Sequence, residues 1–241
     1  MKNVVIVGAT SGIGLEIARL YIQKGYRLGL AGRRMDILEK LRKEAPEQIE
    51  IQQIDVTDAN ATEQLNQLVD KLGGMDLFLL SSGIGSQNRA LETDIELTTV
   101  NTNCMGFTRM TTAAYHYFKK QGSGHLAVIS SIAGTKGLGV APSYSATKRF
   151  QNTYIDALAQ LARMEKSPIS FTDIRPGFVQ TALLKSGHYP LLMKPEKVAQ
   201  IIIRCVARKK RRVVIDWRYS ILVFFWKLIP EYIWERLSIH N

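Results

Sequence analysis

The stretch "VVIVGATSGIGLEIARL", residues 4–20, changes periodicity halfway through. Val4–Val7 are four apolar residues, mostly β-branched, with the length and character of a strand buried on both faces. Glycines at 8, 12 and 14 follow, and then Ile13, Ile17 and Leu20 recur at i, i+4, i+7, the helical spacing. A buried strand, a glycine turn and a helix open a βαβ unit. Glycine lets the backbone turn tightly and approach a pyrophosphate, and the helix N-terminus beyond it favours negative charge. The spacing is Gly-x3-Gly-x-Gly rather than the commoner Gly-x-Gly-x-x-Gly. Gly8, Thr10, Ser11, Gly12, Ile13 and Gly14 are therefore the expected phosphate cradle of a dinucleotide. A turn with a purely structural role is the alternative.

Further along, the alternation repeats. Short apolar runs lie at 27–32, 49–55, 76–83, 125–131, 169–177 and 212–216. Helical patterns separate them, as at Leu65, Leu68 and Leu72, and the segments near 103–120 and 143–164 are long enough for substantial helices. About seven strands alternating with helices predict an α/β fold, one doubly wound parallel sheet with helices on both faces. No linker, repeat or low-complexity segment interrupts it. Residues 1–216 read as a single nucleotide-binding and catalytic domain, and residues 217–241 as an aromatic, apolar C-terminal tail.

The bulk numbers agree. A chain of 241 residues, 46% hydrophobic and 22% charged, buries one core and is not disordered. Two cysteines, Cys104 and Cys205, make neither a disulfide framework nor a metal cluster, so no metal is expected and a reducing compartment is. The opening apolar run stops at Gly8, too short for a signal peptide, and no run of 18 uncharged apolar residues is present. The expected location is the cytoplasm, with contact at a membrane surface left open.

The nucleotide follows from the end of the second strand. An NAD site places an acidic residue about 20 positions beyond the glycines to bond the ribose 2′-OH. Arg33 and Arg34 stand there instead. Two guanidiniums suit a 2′-phosphate through charge and forked hydrogen bonds. Asp36, the one acidic residue nearby, reads as a helix cap. NADP(H) is therefore expected over NAD(H).

Four motifs together carry a resemblance. They are "GATSGIG", the "SYSATK" of residues 143–148, Ser131 thirteen residues before Tyr144, and "RPGFVQT" at 175–181. In these the chain resembles the short-chain dehydrogenase/reductases, from about residue 3 to 216. The length fits the compact single-domain branch of Rossmann-type proteins rather than the longer sugar-nucleotide epimerases. Tyr144 and Lys148 lie one helical turn apart and can face one ligand. A free phenol titrates near 10. A neighbouring ammonium and an oxidised nicotinamide are expected to lower that value, making Tyr144 the general acid in reduction and the base in oxidation.

The resemblance further implies that Lys148 bonds the nicotinamide ribose and that Ser131 bonds the substrate oxygen. Ser130 falls on the opposite face by strand alternation. Asn103, in an Asn-x-x-Gly setting with Gly106, would bend a helix and hold a water on the proton path to the lysine; Asn101 competes for that role. Asp55 and Val56 match positions that contact adenine. Thr181 would bond the nicotinamide amide, with Pro176 and Gly177 shaping its turn. One departure stands out: Leu80-Ser81-Ser82-Gly83 replaces the family's usual Asn-Asn-Ala-Gly. Gly83 keeps a backbone route beside the cofactor.

The implied activity is hydride transfer between NADP(H) and a small carbonyl or alcohol substrate. A non-catalytic dinucleotide-sensing or scaffold protein, tethered through its tail, is the rival. Leu183, Leu184, Tyr189, Leu191, Leu192 and Met193 either wall an apolar pocket for a lipophilic substrate or pack a lid onto the body. His188 reads as a lid surface residue. Net charge is +11, and the last 38 residues hold nine Lys/Arg against three Asp/Glu. That segment also holds Trp217, Trp226, Trp234 and "ILVFFW" at 221–226. Aromatic and basic residues together suit a membrane surface or an oligomer contact. No nucleic-acid-binding motif is present. The family resemblance implies a homo-oligomer, a dimer or tetramer.

Overall fold

The computed structural model describes residues 2–184 and 189–239. In chain order the elements begin β1 (Asn3–Val7), α1 (Gly12–Gln23), β2 (Arg27–Gly32), α2 (Met35–Glu44), β3 (Ile49–Gln53), α3 (Ala61–Leu72) and β4 (Leu77–Leu80). Then come α4 (Thr93–Val100), a π-helical turn (Asn101–Gly106), α5 (Phe107–Gln121), β5 (Gly124–Ile129), a 3₁₀ turn (Ile132–Thr135) and α6 (Pro142–Met164). The chain continues with β6 (Ile169–Arg175), α7 (Pro195–Ala207), β7 (Arg212–Val214), α8 (Trp217–Leu228) and α9 (Glu231–Trp234).

The strands form one seven-stranded sheet, ordered β3-β2-β1-β4-β5-β6-β7, with every neighbouring pair parallel. The expected doubly wound sheet is what the chain folds into. Strand alternation explains the two-sided burial. Val4 and Ile6 enter one core layer with Ile17, Leu30 and Ile202; Val5 and Val7 enter the other with Leu68, Phe78 and Phe118. Fully buried side chains such as Phe78 and Phe118 each contribute about 2–3 kcal/mol. A strand that is apolar on both faces can only sit between two helix layers, which is why these runs do not alternate polar and apolar.

Chain order reverses between β1 and β4, so the connections leave these two strands toward opposite faces. A crevice opens beyond the carboxyl ends of strands at such a point, and ligands of open α/β sheets bind there. The glycine turn follows β1 and Ser81–Gly83 follow β4, so both border that crevice.

The structure adjusts three boundaries. The helix expected near 103–120 is a π-helical turn followed by α5. Asp36 is not a cap: Arg34 holds the N-cap position of α2, and Asp36 lies in the first turn, where its charge complements the helix dipole. The segment after Asp216 packs on the body, with Tyr219 and Val223 belonging to the same core layer as β1 and α1. No helix among the described residues is long and apolar enough to cross a membrane.

Candidate active site

The glycine turn is shaped by what presses on it. A methyl group on Gly8 would lie 2.6 Å from the backbone nitrogen of Ser82, and one on Gly14 would lie 2.2 Å from the Gly8 carbonyl oxygen. Gly8 also has φ 94°, a conformation that side chains resist. Ser81 and Ser82 both donate their backbone N–H to the Val7 carbonyl, at 2.8 and 3.1 Å. The small residues of the Leu80–Gly83 departure thus fit where a bulkier pair would meet the turn. Thr181 reaches the turn from the far side, its Cγ2 3.1 Å from where a methyl on Gly12 would sit. Loops from β1, β4 and β6 therefore meet at the N-terminus of α1, where a pyrophosphate would find free backbone N–H groups.

The two arginines differ. Arg34 is drawn across the turn: its Nη2 donates to the Thr10 carbonyl at 2.8 Å and to Thr10 Oγ1 at 3.1 Å. Arg33 is 71% exposed, and its Nη1 lies 3.9 Å from the Asp55 carboxylate. The Asp55 Oδ1 also accepts from the Thr57 N–H and hydroxyl. Burial works to raise the Asp55 carboxyl, but the Thr57 hydrogen bonds and Arg33 hold it below its ordinary value. The Val56 side chain is buried against Gly106, and its carbonyl accepts from Arg109 at 2.6 Å.

Ser131, Tyr144 and Lys148 come together beyond the carboxyl end of β5. Ser131 caps the 3₁₀ turn, accepting from the Ala133 N–H at 3.0 Å and donating to the Pro176 carbonyl at 3.4 Å. Ser130 points elsewhere, to the buried Asp173, which also pairs with Arg175. Lys148 Nζ lies 5.7 Å from the centre of the Tyr144 ring. A methyl on Gly83 would come 3.4 Å from Lys148 Nζ and 3.3 Å from Asn103 Oδ1, so the lysine, the asparagine and the β4 loop share one space.

On balance the protein's own groups do not lower the Tyr144 phenol. The phenol of Tyr144 is raised above its ordinary value, chiefly by burial, with the Ser131 hydroxyl acting in the opposite direction as a hydrogen-bond partner. The ammonium of Lys148 does not bond the phenol; it donates to the Ile129 carbonyl at 3.3 Å and to Gln151 at 3.0 Å. Burial lowers Lys148 to about 8, while Asp173 and Cys104 draw it back up. The protein's own effect on Tyr144 is therefore upward.

Asn103 is fully buried in the π-helical turn. Its Oδ1 accepts from the Ile84 N–H at 2.9 Å, and its Nδ2 donates to the Ile84 carbonyl at 2.7 Å and to Thr147 at 3.1 Å. The turn that Asn103 occupies separates α4 from α5. Asn101 is exposed.

Sequence reasoning missed three neighbours. Gly85 supports the Tyr144 ring, Gln151 joins Lys148 to Asn103, and Tyr219 pins the β6 loop. Gln151 alone had a local signal, one helical turn beyond Lys148 on the same face. Gly177 packs under the Tyr219 ring, whose hydroxyl accepts from the Phe178 N–H at 3.1 Å and donates to the Pro190 carbonyl at 2.9 Å. The expected apolar lid divides: Met193 is buried in the core, Tyr189 packs 5.0 Å from Phe178, and Leu183, Leu191 and Leu192 are exposed. His188 lies outside the described residues.

Comparison with known proteins shows what the whole chain is similar to. The family model described as short chain dehydrogenase matches residues 2–188. An uncharacterized oxidoreductase of Myxococcus xanthus is 29% identical over 238 residues, covering 95% of this chain and 93% of that protein. Dehydrogenase/reductase SDR family member 7B of Bos taurus is 30% identical over 253 residues, covering 94% of this chain and 77% of that protein. Among solved structures, an alcohol dehydrogenase from the archaeon Thermococcus sibiricus, complexed with 5-hydroxy-NADP, superposes with a TM-score of 0.75. It is 25% identical, and the match covers 89% of this chain and 96% of that one.

Proposed function

The chain belongs to the short chain dehydrogenase family, an oxidoreductase family, and we propose that it is an NADP(H)-dependent member acting on a carbonyl or alcohol group. The observation that carries the reading is the convergence of Ser131, Tyr144 and Lys148 on the crevice bordered by the glycine turn. That convergence favours an enzyme over a scaffold protein on the same fold.

The glycine turn from Gly8 to Gly14 would hold the pyrophosphate, with Asp55 and Val56 beside the adenine and Pro176, Gly177 and Thr181 along the nicotinamide. When bound, the cofactor supplies or accepts a hydride. Tyr144 gives a proton to the carbonyl oxygen in reduction and removes one from the alcohol in oxidation. Burial keeps the phenol protonated at neutral pH, the form that gives a proton in reduction, and the Lys148 charge with a bound nicotinamide would have to lower it for ready transfer. Ser131 donates to the same oxygen and orients it. Lys148 holds a ribose hydroxyl and places positive charge near the phenol.

Arg33 supports the preference for NADP(H). It is the more exposed guanidinium and has a single long contact to Asp55, so it is free to meet a 2′-phosphate. The proximity of that carboxylate does not favour NAD(H) here, since Asp55 lies beyond β3 rather than at the end of β2.

The tail adds a contact surface to the domain of residues 1–216. Trp217, Ile221, Phe224, Phe225 and Leu228 are all exposed and follow a helical stripe on α8. Tyr232 and Leu237 extend the apolar surface. This is the segment we assign to peripheral membrane contact or homo-oligomer formation. Free Cys104 and Cys205 support work in the cytoplasm. Phe224→Ser with Phe225→Ser separates the two tail roles: loss of vesicle flotation marks a lipid contact, and a smaller sedimentation coefficient marks self-association.

The test of the main reading is fluorescence titration with NADPH and NADH, followed by a carbonyl screen with the preferred nucleotide. Tight NADPH binding, weak NADH binding and substrate-dependent NADPH oxidation are expected. Binding of neither nucleotide would sink the reading.

A further inference from the structure

Gln151 is buried to 1% exposure, and both ends of its amide are used. Oε1 accepts from Lys148 Nζ at 3.0 Å, and Nε2 donates to the Asn103 carbonyl at 2.9 Å. A buried amide left unpaired is costly, so a polar side chain here is maintained by both contacts. The Asn103 carbonyl belongs to the π-helical turn, where wider winding frees backbone groups from the ordinary helical ladder. Gln151 thus connects the bend between α4 and α5 to the lysine of α6, two elements 48 residues apart in sequence.

The lysine's other contacts show what this link does. Lys148 has three protons to donate. One goes to the Ile129 carbonyl and one to Gln151, leaving the third for the side of the crevice that Gly83 borders. Without Gln151 a second donor is released and the ammonium is free to turn. The charged and titratable groups around Lys148 are Tyr144 on its own helix, Cys104 from the π-helical turn, and Asp173 from β6, itself paired with Arg175.

From this geometry we propose that Gln151 is a positioning residue of the reaction, holding the Lys148 ammonium toward the cofactor ribose and tying it to the Asn103 turn. The inference rests on the oxidoreductase reading above. A neutral amide oxygen accepts from either protonation state of the lysine, so the geometry survives when Lys148 loses its charge.

The experiment compares Gln151→Leu and Gln151→Glu with the wild type. Isotope-labelled lysine and NMR follow the Lys148 titration, with Lys148→Met to assign the signal. The leucine variant removes an acceptor from the ammonium, and its Lys148 titrates at lower pH than in the wild type. The glutamate variant sets a carboxylate beside it and moves the titration upward. In steady-state kinetics the leucine variant loses about tenfold or more in kcat, with KM for the carbonyl substrate little changed. A Lys148 titration unmoved in both variants overturns the proposal. Should the leucine variant lose its thermal transition, the glutamate variant decides alone: an upward shift supports the role and an unmoved titration overturns it. A wild type that oxidises no NADPH with any carbonyl would sink the oxidoreductase reading and with it this role, whereas an unmoved titration in an active enzyme would sink the role of Gln151 alone.

Discussion

A methyl group on Gly85 would lie 2.3 Å from Cδ2 of Tyr144 and 2.6 Å from Cε2. The ring that carries the phenol rests on a residue with no side chain. Asn103, paired through both amide atoms with the backbone of Ile84, holds that glycine in place. Gly85→Ala is therefore expected to displace Tyr144 while leaving the glycine turn intact. Turnover should fall about 10- to 100-fold, in line with the sensitivity of positioned groups to a 1 Å shift. NADPH affinity, measured by fluorescence titration, should stay within about threefold of wild type. An unchanged kcat would mean the ring sits elsewhere when the protein works.

Tyr144→Phe removes the proton donor and leaves the ring. The expected loss in kcat is about 10²–10⁴, the range for a positioned general acid. NADPH should still bind, because the phosphate cradle lies on other elements. Turnover near the wild-type rate would eliminate Tyr144 as the acid.

The pH dependence follows from two opposite shifts. Burial lowers Lys148 to about 8, with Asp173 and Cys104 opposing it, and burial raises Tyr144 above its ordinary value. On raising the pH, Lys148 loses its charge first while Tyr144 keeps its proton. The kcat/KM for reduction should hold below about pH 8 and fall above it. The same lysine shift has a stability consequence of defined sign. A lysine that releases its proton earlier in the folded state than in the unfolded one destabilises the fold fully below about pH 8. That penalty fades as pH rises toward the ordinary lysine value. A limb that instead appears only where an unperturbed phenol titrates would show that Lys148 does not control the rate.

Arg33 and Arg34 should separate on substitution. Arg33→Ala removes an exposed charge whose one ion-pair contact is long, and should weaken NADPH about tenfold while sparing NADH. Arg34→Ala removes the brace on Thr10 and should weaken both nucleotides through the turn itself. Equal effects of Arg33→Ala on the two nucleotides would remove it as the 2′-phosphate ligand.

Tyr219→Phe tests whether the segment after Asp216 is part of the domain. The hydroxyl joins the Phe178 N–H to the Pro190 carbonyl, and its loss leaves a part-buried donor unpaired. The expected cost is about 1–3 kcal/mol. Differential scanning calorimetry should register it as a drop in Tm of several degrees. A Tm equal to wild type would make α8 a dispensable addition.

The layered fold and much of the site's composition could be read from the chain because the relevant signals are local. Val4–Gly14 changes from strand to glycine turn to helix within one short run, and Tyr144 and Lys148 are one helical turn apart. Periodicity and short spacing carry such information without reference to the rest of the molecule. What surrounds those groups depends on contacts between distant segments. The hydrogen bond between Gln151 and Asn103 spans 48 positions, and the one between Tyr219 and Phe178 spans 41. The contact of Gly85 with Tyr144 likewise joins the β4 loop to α6. The direction of the Tyr144 shift also belonged to the tertiary structure. A lysine one turn away and an oxidised nicotinamide predict a lowered phenol, whereas burial of the ring in the protein itself works upward, and the ammonium is turned toward Ile129 and Gln151. Desolvation and hydrogen-bond direction are properties of the packed environment, which residue spacing alone does not encode.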